Sequence, residues 1–304
     1  MHGPVYRVKR ILPGFLVFIA IALCDTAVLA SVIRVQAVVL RNDDGTRMAK
    51  VRPGELALWL VTANRTLKRS GSDIQLTFSP EQDWLTHTSS TLNGLHNYRP
   101  ACLPLFAQAR KIAAEHPQKL TVFFRHGSKD VSTDGSKERA TGNGFAVHPT
   151  DTAPGFIVMP GFQSTTIKRG PKAPRLPNQK LFVHELGHFL GLKHTFPGNG
   201  SKQPKTLKDL RQRIKDAGAQ TGAQGKNFDG DGIADTPPDP YTHLWFRFLK
   251  VNQCQSNRLH RIPGTETLRH NPMAYLNCPP YRFTAGQVKH MEQRLNSKNY
   301  AYLR

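Results

Sequence analysis

His184-Glu185-Leu186-Gly187-His188-Phe189-Leu190-Gly191-Leu192-Lys193-His194 has the form H-E-x-x-H-x-x-G-x-x-H. Positions four apart share a helix face, so His184 and His188 can turn their imidazoles toward one zinc ion. Glu185 stands beside them, where a carboxylate can take a proton from zinc-bound water. Gly191 has no Cβ, so the chain can leave the helix there in a left-handed conformation and return His194 as a third ligand. Three protein ligands leave one position open, as a catalytic site requires. A chance match of this pattern anywhere in the chain has a probability on the order of 10^-5 to 10^-4. A His-rich surface helix is therefore a poor alternative, and Glu185 argues against a purely structural metal site.

Two segments downstream carry further signals. Asp229-Gly230-Asp231-Gly232-Ile233-Ala234-Asp235-Thr236-Pro237 gathers carboxylates on tight turns. Asp229, Asp231 and Asp235 suit calcium, although EF-hand spacing is absent and an ion-free Asp-Gly turn reads equally well. His270-Asn271-Pro272-Met273-Ala274-Tyr275 places a methionine on a turn beyond the three histidines. Met273 would form an apolar floor without binding metal, and Tyr275 could bring its hydroxyl to a developing oxyanion.

The chain has 304 residues and a formal net charge of +21. Residues 1–30 read as a signal peptide: Arg7, Lys9 and Arg10 precede an apolar run from Ile11 to Cys24, and Val28-Leu29-Ala30 precedes Ser31. The run is short for a membrane span, and no later segment is long and apolar enough, so a secreted or periplasmic protein is expected. So basic a surface favours an anionic surface or polymer as partner, or is simply well solvated. No aromatic-interleaved basic stretch marks a nucleic-acid site. Beyond residue 30 the cysteines are Cys102, Cys254 and Cys278, which allow one disulfide.

Val32–Leu40 is rich in β-branched residues and reads as a strand, followed by a turn at Asn42–Gly45. Leu56, Leu60, Ala63 and Leu67 recur at helical spacing behind Pro53. Strands are expected at Ile74–Phe78, Leu120–Phe124, Gly142–Val147 and Phe156–Met159, and a helix at Leu103–Ala114. A helix from about Asn178 carries the histidines. Residues 197–228 read as an excursion containing a short basic helix, Thr206–Ala217. Thr284 reads as the N-cap of a helix through Leu295, with Val288, Met291 and Leu295 inward.

The stretches HELGHFLGLKHTF, DGDGIADTP, NPMAY and FTAGQVKHM together resemble the pappalysin family of metzincin metalloproteases. The resemblance implies an α+β zincin fold. A mixed twisted sheet with its active-site helix would lie above a smaller irregular and helical C-terminal subdomain. The boundaries would be 31–194 for the upper part and 195–304 for the lower. It implies zinc on His184, His188 and His194, with Glu185 as general base, a Met-turn at Met273 and a stabilising Tyr275. It also favours calcium near Asp235 and a Cys254–Cys278 disulfide.

The expected function is hydrolysis of protein or peptide substrates by a zinc endopeptidase. An extended substrate would pair with an edge strand near Gly144–His148. The rival is an exported zinc-containing or polyanion-binding protein without proteolytic activity.

Overall fold

The computed structural model describes residues 31–95, 103–126, 144–161, 177–196, 230–237, 265–274 and 278–304, with positions 206, 208, 209, 212 and 239 besides. The expected signal peptide, most of the 197–228 excursion, Asp229, Cys102, Cys254 and Tyr275 lie outside the described residues.

The centre of the molecule is β1, Val32–Arg41, whose run VIRVQAVVLR is almost wholly buried. A continuous apolar strand of this kind needs cover on both faces, which is the condition of a parallel sheet. β1 pairs in parallel with β4 (Lys119–Arg125), and β4 pairs in parallel with β6 (Phe156–Pro160). On its other edge β1 takes two short strands in turn. β2 (Gln75–Thr77) pairs with Val32–Arg34, and β3 (Trp84–Thr88) pairs with Ala37–Arg41. β5 (Phe145–Val147) runs antiparallel to β6 and ends the sheet order β2-β1-β4-β6-β5.

Alternation along these strands builds two core layers. Val35, Ala37, Val39, Leu120, Val122, Phe124, Ile157 and Met159 face one way. Val38, Leu40, Phe123, Phe156 and Val158 face the other. The second layer is covered by α2 (Ser90–Asn93) and α3 (Leu103–Ala114), which contribute Leu92, Ala109 and Ile112. The first is covered by α1 (Pro53–Arg69) and α4 (Pro177–Phe189).

α1 starts with Pro53 in its first turn, and the backbone N–H of Arg52 donates to the Glu55 carboxylate at 2.8 Å. Its buried stripe is the expected one, Leu56, Leu60, Ala63 and Leu67, with Trp59 added. Trp59 lies against Phe124 of β4 and Phe182 of α4, at ring separations of 5.7 and 6.3 Å. α1 and the sheet thus set the height of α4 over β4 and β6.

The first layer continues through α4 into the C-terminal part of the chain. Leu186, Phe189 and Leu190 join one cluster with Met273, Phe283, Val288, Met291, Leu295 and Tyr300. α5 (Thr265–His270) leads into the turn that holds Met273, and α6 (Ala285–Leu295) lies beyond it. α6 is capped as its sequence predicts: Thr284 Oγ1 accepts from Gln287 N, and Val288, Met291 and Leu295 are buried. A terminal 3-10 helix, Lys298–Leu303, closes the chain, and the Gln118 N–H before β4 donates to Tyr302 O. Among the described residues no helix is long and apolar enough to cross a membrane.

Candidate active site

α4 ends at Phe189, and the ending is built for the site. Gly191 has φ +93°, a conformation that costs an L side chain about 1–2 kcal/mol. Its N–H bonds His188 O, and the Leu192 N–H reaches back to Gly187 O, each at 2.9 Å. This left-handed cap satisfies carbonyls that the helix leaves open. It also reverses the chain, so that His194 returns beneath His184 and His188.

The three imidazoles converge. His188 Nε2 lies 3.1 Å from both His184 Nε2 and His194 Nε2, and the third separation is 3.2 Å. These residues are the cluster able to hold a metal among the described residues. Two of the rings are held from behind by carbonyls. His184 Nδ1 lies 2.7 Å from Pro272 O, and His188 Nδ1 lies 2.8 Å from Leu192 O. A carbonyl can only accept, so each Nδ1 carries the proton and each Nε2 presents a lone pair to the centre.

Burial lowers the pKa of all three histidines, and their mutual repulsion adds to this for His184 and His194. His194 is pushed down to about 3. Neutral imidazoles with facing lone pairs repel one another unless a cation lies between them. Tetrahedral zinc with Zn–N of about 2.0–2.1 Å spaces its nitrogens about 3.3 Å apart. The observed triangle, with sides of 3.1–3.2 Å, fits that ion.

Glu185 points from the same helix into the base of β5 and is 4 % exposed. A Cβ on Gly144 would lie 2.9 Å from Glu185 Cγ and 3.1 Å from Oε1. The carboxylate therefore rests against bare backbone at the entry to the edge strand. Burial alone raises its pKa to about 8.

Met273 forms the floor. It is fully buried, and a Cβ on Gly187 would come within 2.4 Å of its Sδ. The turn also works through its backbone. Pro272 O holds His184, and Met273 O accepts from Thr195 N at 3.3 Å, next to His194. The Thr195 hydroxyl donates to the buried carboxylate of Asp239. Asn271 shapes the turn, its Oδ1 accepting from Met273 N at 2.9 Å.

The aspartates of the Asp-Gly loop have another role. Asp235 accepts from the Thr284 hydroxyl and from Gly286 N, both at 2.8 Å, which places its charge on the N-terminus of α6. Asp231 accepts from Ile233 N at 2.9 Å and from Gln287 Nε2 at 3.0 Å. Their hydrogen bonds to α6 and to the loop itself account for both carboxylates without an ion. Cys278 is buried and disulfide-bonded, while the expected partner Cys254 lies outside the described residues.

Sequence reading missed the parts played by Asn271, Gln287 and Asp239, and it named Gly144 only as the start of an edge strand, without its contact to Glu185. Two of them left a signal: Thr284-x-x-Gln287 has the form of a capping box, and Asn271 two residues before Met273 suits an Asx-turn. Gly144 and Asp239 left none, because their partners are 41 and 44 positions away.

No curated protein matches this chain. Among solved structures, metalloproteinase-II from Bacteroides fragilis is similar at 13% identity with a TM-score of 0.31, over 55% of this chain and 44% of that one. The chain thus spans less than half the length of that protein. A family model described as pregnancy-associated plasma protein-A matches residues 131–296, more than half of the chain. The matched span holds the histidines, the Asp-Gly loop, Met273 and α6, and the chain belongs to this metallopeptidase family, the pappalysins.

Proposed function

We propose that the protein is an exported zinc-dependent endopeptidase. The observation that carries this reading is the triangle of three converging Nε2 atoms with a buried carboxylate beside the first of them. His184, His188 and His194 would hold the zinc. A bound zinc ion supplies a Lewis acid that acidifies water and polarises a peptide carbonyl.

Glu185 is the base. Its raised pKa suits a group that must accept a proton near neutrality, and a nearby cation would draw that value down. Water attacks the carbonyl carbon as Glu185 takes its proton. The C–N bond then breaks, and Glu185 passes the proton to the departing amine. The Tyr275 hydroxyl, two residues beyond Met273, would donate to the oxyanion.

β5 is an edge strand beside α4. An extended peptide laid along it would gain backbone hydrogen bonds, with the bond to be cut close to Glu185. The cleft would lie between the 31–194 and 195–304 parts of the chain. Residues 1–30 would serve as the export signal, and Cys254 would pair with Cys278. The chemistry needs no calcium at the Asp-Gly loop, where Asp231 and Asp235 are already held by α6 and by the loop itself.

The test is digestion of a diverse peptide library by the purified protein, with and without a zinc chelator, beside Glu185→Ala. Chelator-sensitive cutting is expected, lost in a variant that still binds zinc. Cutting that survives chelation, or that survives in Glu185→Ala, overturns the reading.

A further inference from the structure

The side chain of Gln287 has no solvent exposure and lies at the crossing of three segments. Its Oε1 accepts from Asn271 Nδ2 at 2.8 Å and from Thr284 N at 3.1 Å. Its Nε2 donates to Asp231 Oδ2 at 3.0 Å. Asn271 in turn accepts from Met273 N at 2.9 Å, and the intervening Pro272 carbonyl holds His184 Nδ1 at 2.7 Å. An unbroken chain of hydrogen bonds thus runs from the Asp-Gly loop through Gln287 and Asn271 to the ring of the first histidine.

As the third residue of α6, Gln287 would complete a helix cap with its bond to Thr284 N alone. A cap needs neither burial of the amide nor the bonds to Asn271 and Asp231. A buried amide with three hydrogen bonds to three different segments fixes its neighbours closely, because leaving any one of them unpaired costs about 1–3 kcal/mol.

We infer that Gln287 is a positioning residue for the metal site: through Asn271 it sets the Met-turn peptide whose carbonyl orients His184. The inference rests on the reading of His184 as a metal ligand. It is independent of proteolysis. Partners one step behind a metal ligand typically change metal affinity by 10–100-fold when removed.

The experiment compares zinc affinity by chelator competition, the absorption spectrum of the cobalt(II)-substituted protein, and the Tm of the metal-free protein. The variants are Gln287→Met, Asp231→Ala and Thr284→Ala. Thr284→Ala breaks the same helix cap without touching Asn271, so it should lower Tm and leave zinc affinity within about twofold. Gln287→Met should weaken zinc binding about tenfold and shift the cobalt spectrum. Asp231→Ala, at a half-buried position, should move both in the same direction by a smaller amount; it decides the matter if Gln287→Met does not fold. Zinc affinity and cobalt spectrum unchanged from wild type in Gln287→Met and Asp231→Ala overturn the inference. Wild-type protein that takes up no zinc overturns the metal reading itself, a distinguishable result.

Discussion

Met273 Sδ occupies the space that a side chain on Gly187 would need: a Cβ built there would lie 2.4 Å from the sulfur. Gly187 sits on α4 between His184 and His188, so the sulfur touches the helix directly beneath the two rings. The floor therefore sets the depth of α4, and the same turn orients His184 through Pro272 O. Position and orientation of one histidine come from adjacent residues of one turn.

Gly187→Ala reads this contact. In a free helix the change would gain about 1 kcal/mol. Here the clash should win, since overpacking a close-fitted core typically costs about 1–3 kcal/mol. Chemical denaturation of the metal-free protein should show a net loss. In a Met273→Ala background the loss should shrink, with a coupling of about 1 kcal/mol or more in the double-mutant cycle. A stabilised Gly187→Ala protein would show that the floor is not packed this way.

Gly144→Ala should act on the base rather than on the metal. The new methyl would meet Glu185 Cγ at 2.9 Å and Val158 O at 3.1 Å, and the backbone carbonyl cannot yield as the side chain can. A displaced base typically costs up to about 100-fold in rate. The expected signature is a kcat 10–100-fold lower, with KM and zinc affinity close to wild type. A raised KM with kcat intact would place Gly144 in substrate binding alone.

The parts of this chain legible from sequence are those whose signal is local. Leu56, Leu60, Ala63 and Leu67 repeat at helical spacing and are buried as read. Gly191 leaves the helix where the motif requires a residue without a Cβ, and Thr284 caps α6. β3 was not legible, because WLTHT alternates weakly and lies at a half-exposed edge. The six-residue α5 is too short for a period to appear. Asp231 and Asp235 read as candidate cation ligands because carboxylates on a Gly-rich loop are ambiguous. Their hydrogen bonds go to Gln287, Thr284 and Gly286, more than 45 residues away. Nothing in the loop itself points there.

Tyr300 ties the C-terminus to the metal helix. Its hydroxyl donates to Phe189 O, one of the last carbonyls of α4, and its ring meets Phe189 at 5.5 Å. Burial raises its pKa to about 12, so it stays a donor throughout the neutral range. Tyr300→Phe keeps the packing and removes the donor. A loss of about 1–2 kcal/mol is expected, with the three histidines still able to bind zinc. An unchanged denaturation midpoint would show that the bond contributes nothing net.

Asp83 makes the upper half of the molecule sensitive to acid. Its side chain is fully buried where β2 gives way to β3 along β1, and it bonds Arg34 and Lys119 at 2.8 Å and Ser79 N at 2.8 Å. Burial works to raise its pKa, but the hydrogen bonds from Arg34, Lys119 and Ser79 together outweigh that and hold it below the usual value. A pKa lower in the folded state than in the unfolded state means stability that is present above the ordinary carboxylate range. That stability is lost as the pH falls through the folded value. Asp83→Asn should therefore destabilise the protein by about 1.5–3 kcal/mol at neutral pH, the range for hydrogen bonds to a charged group. The gap from wild type should narrow steadily below about pH 4. Urea denaturation of both proteins across that range checks it, and a gap independent of pH would mean that the carboxylate's charge has no part in holding β1, β3 and β4 together.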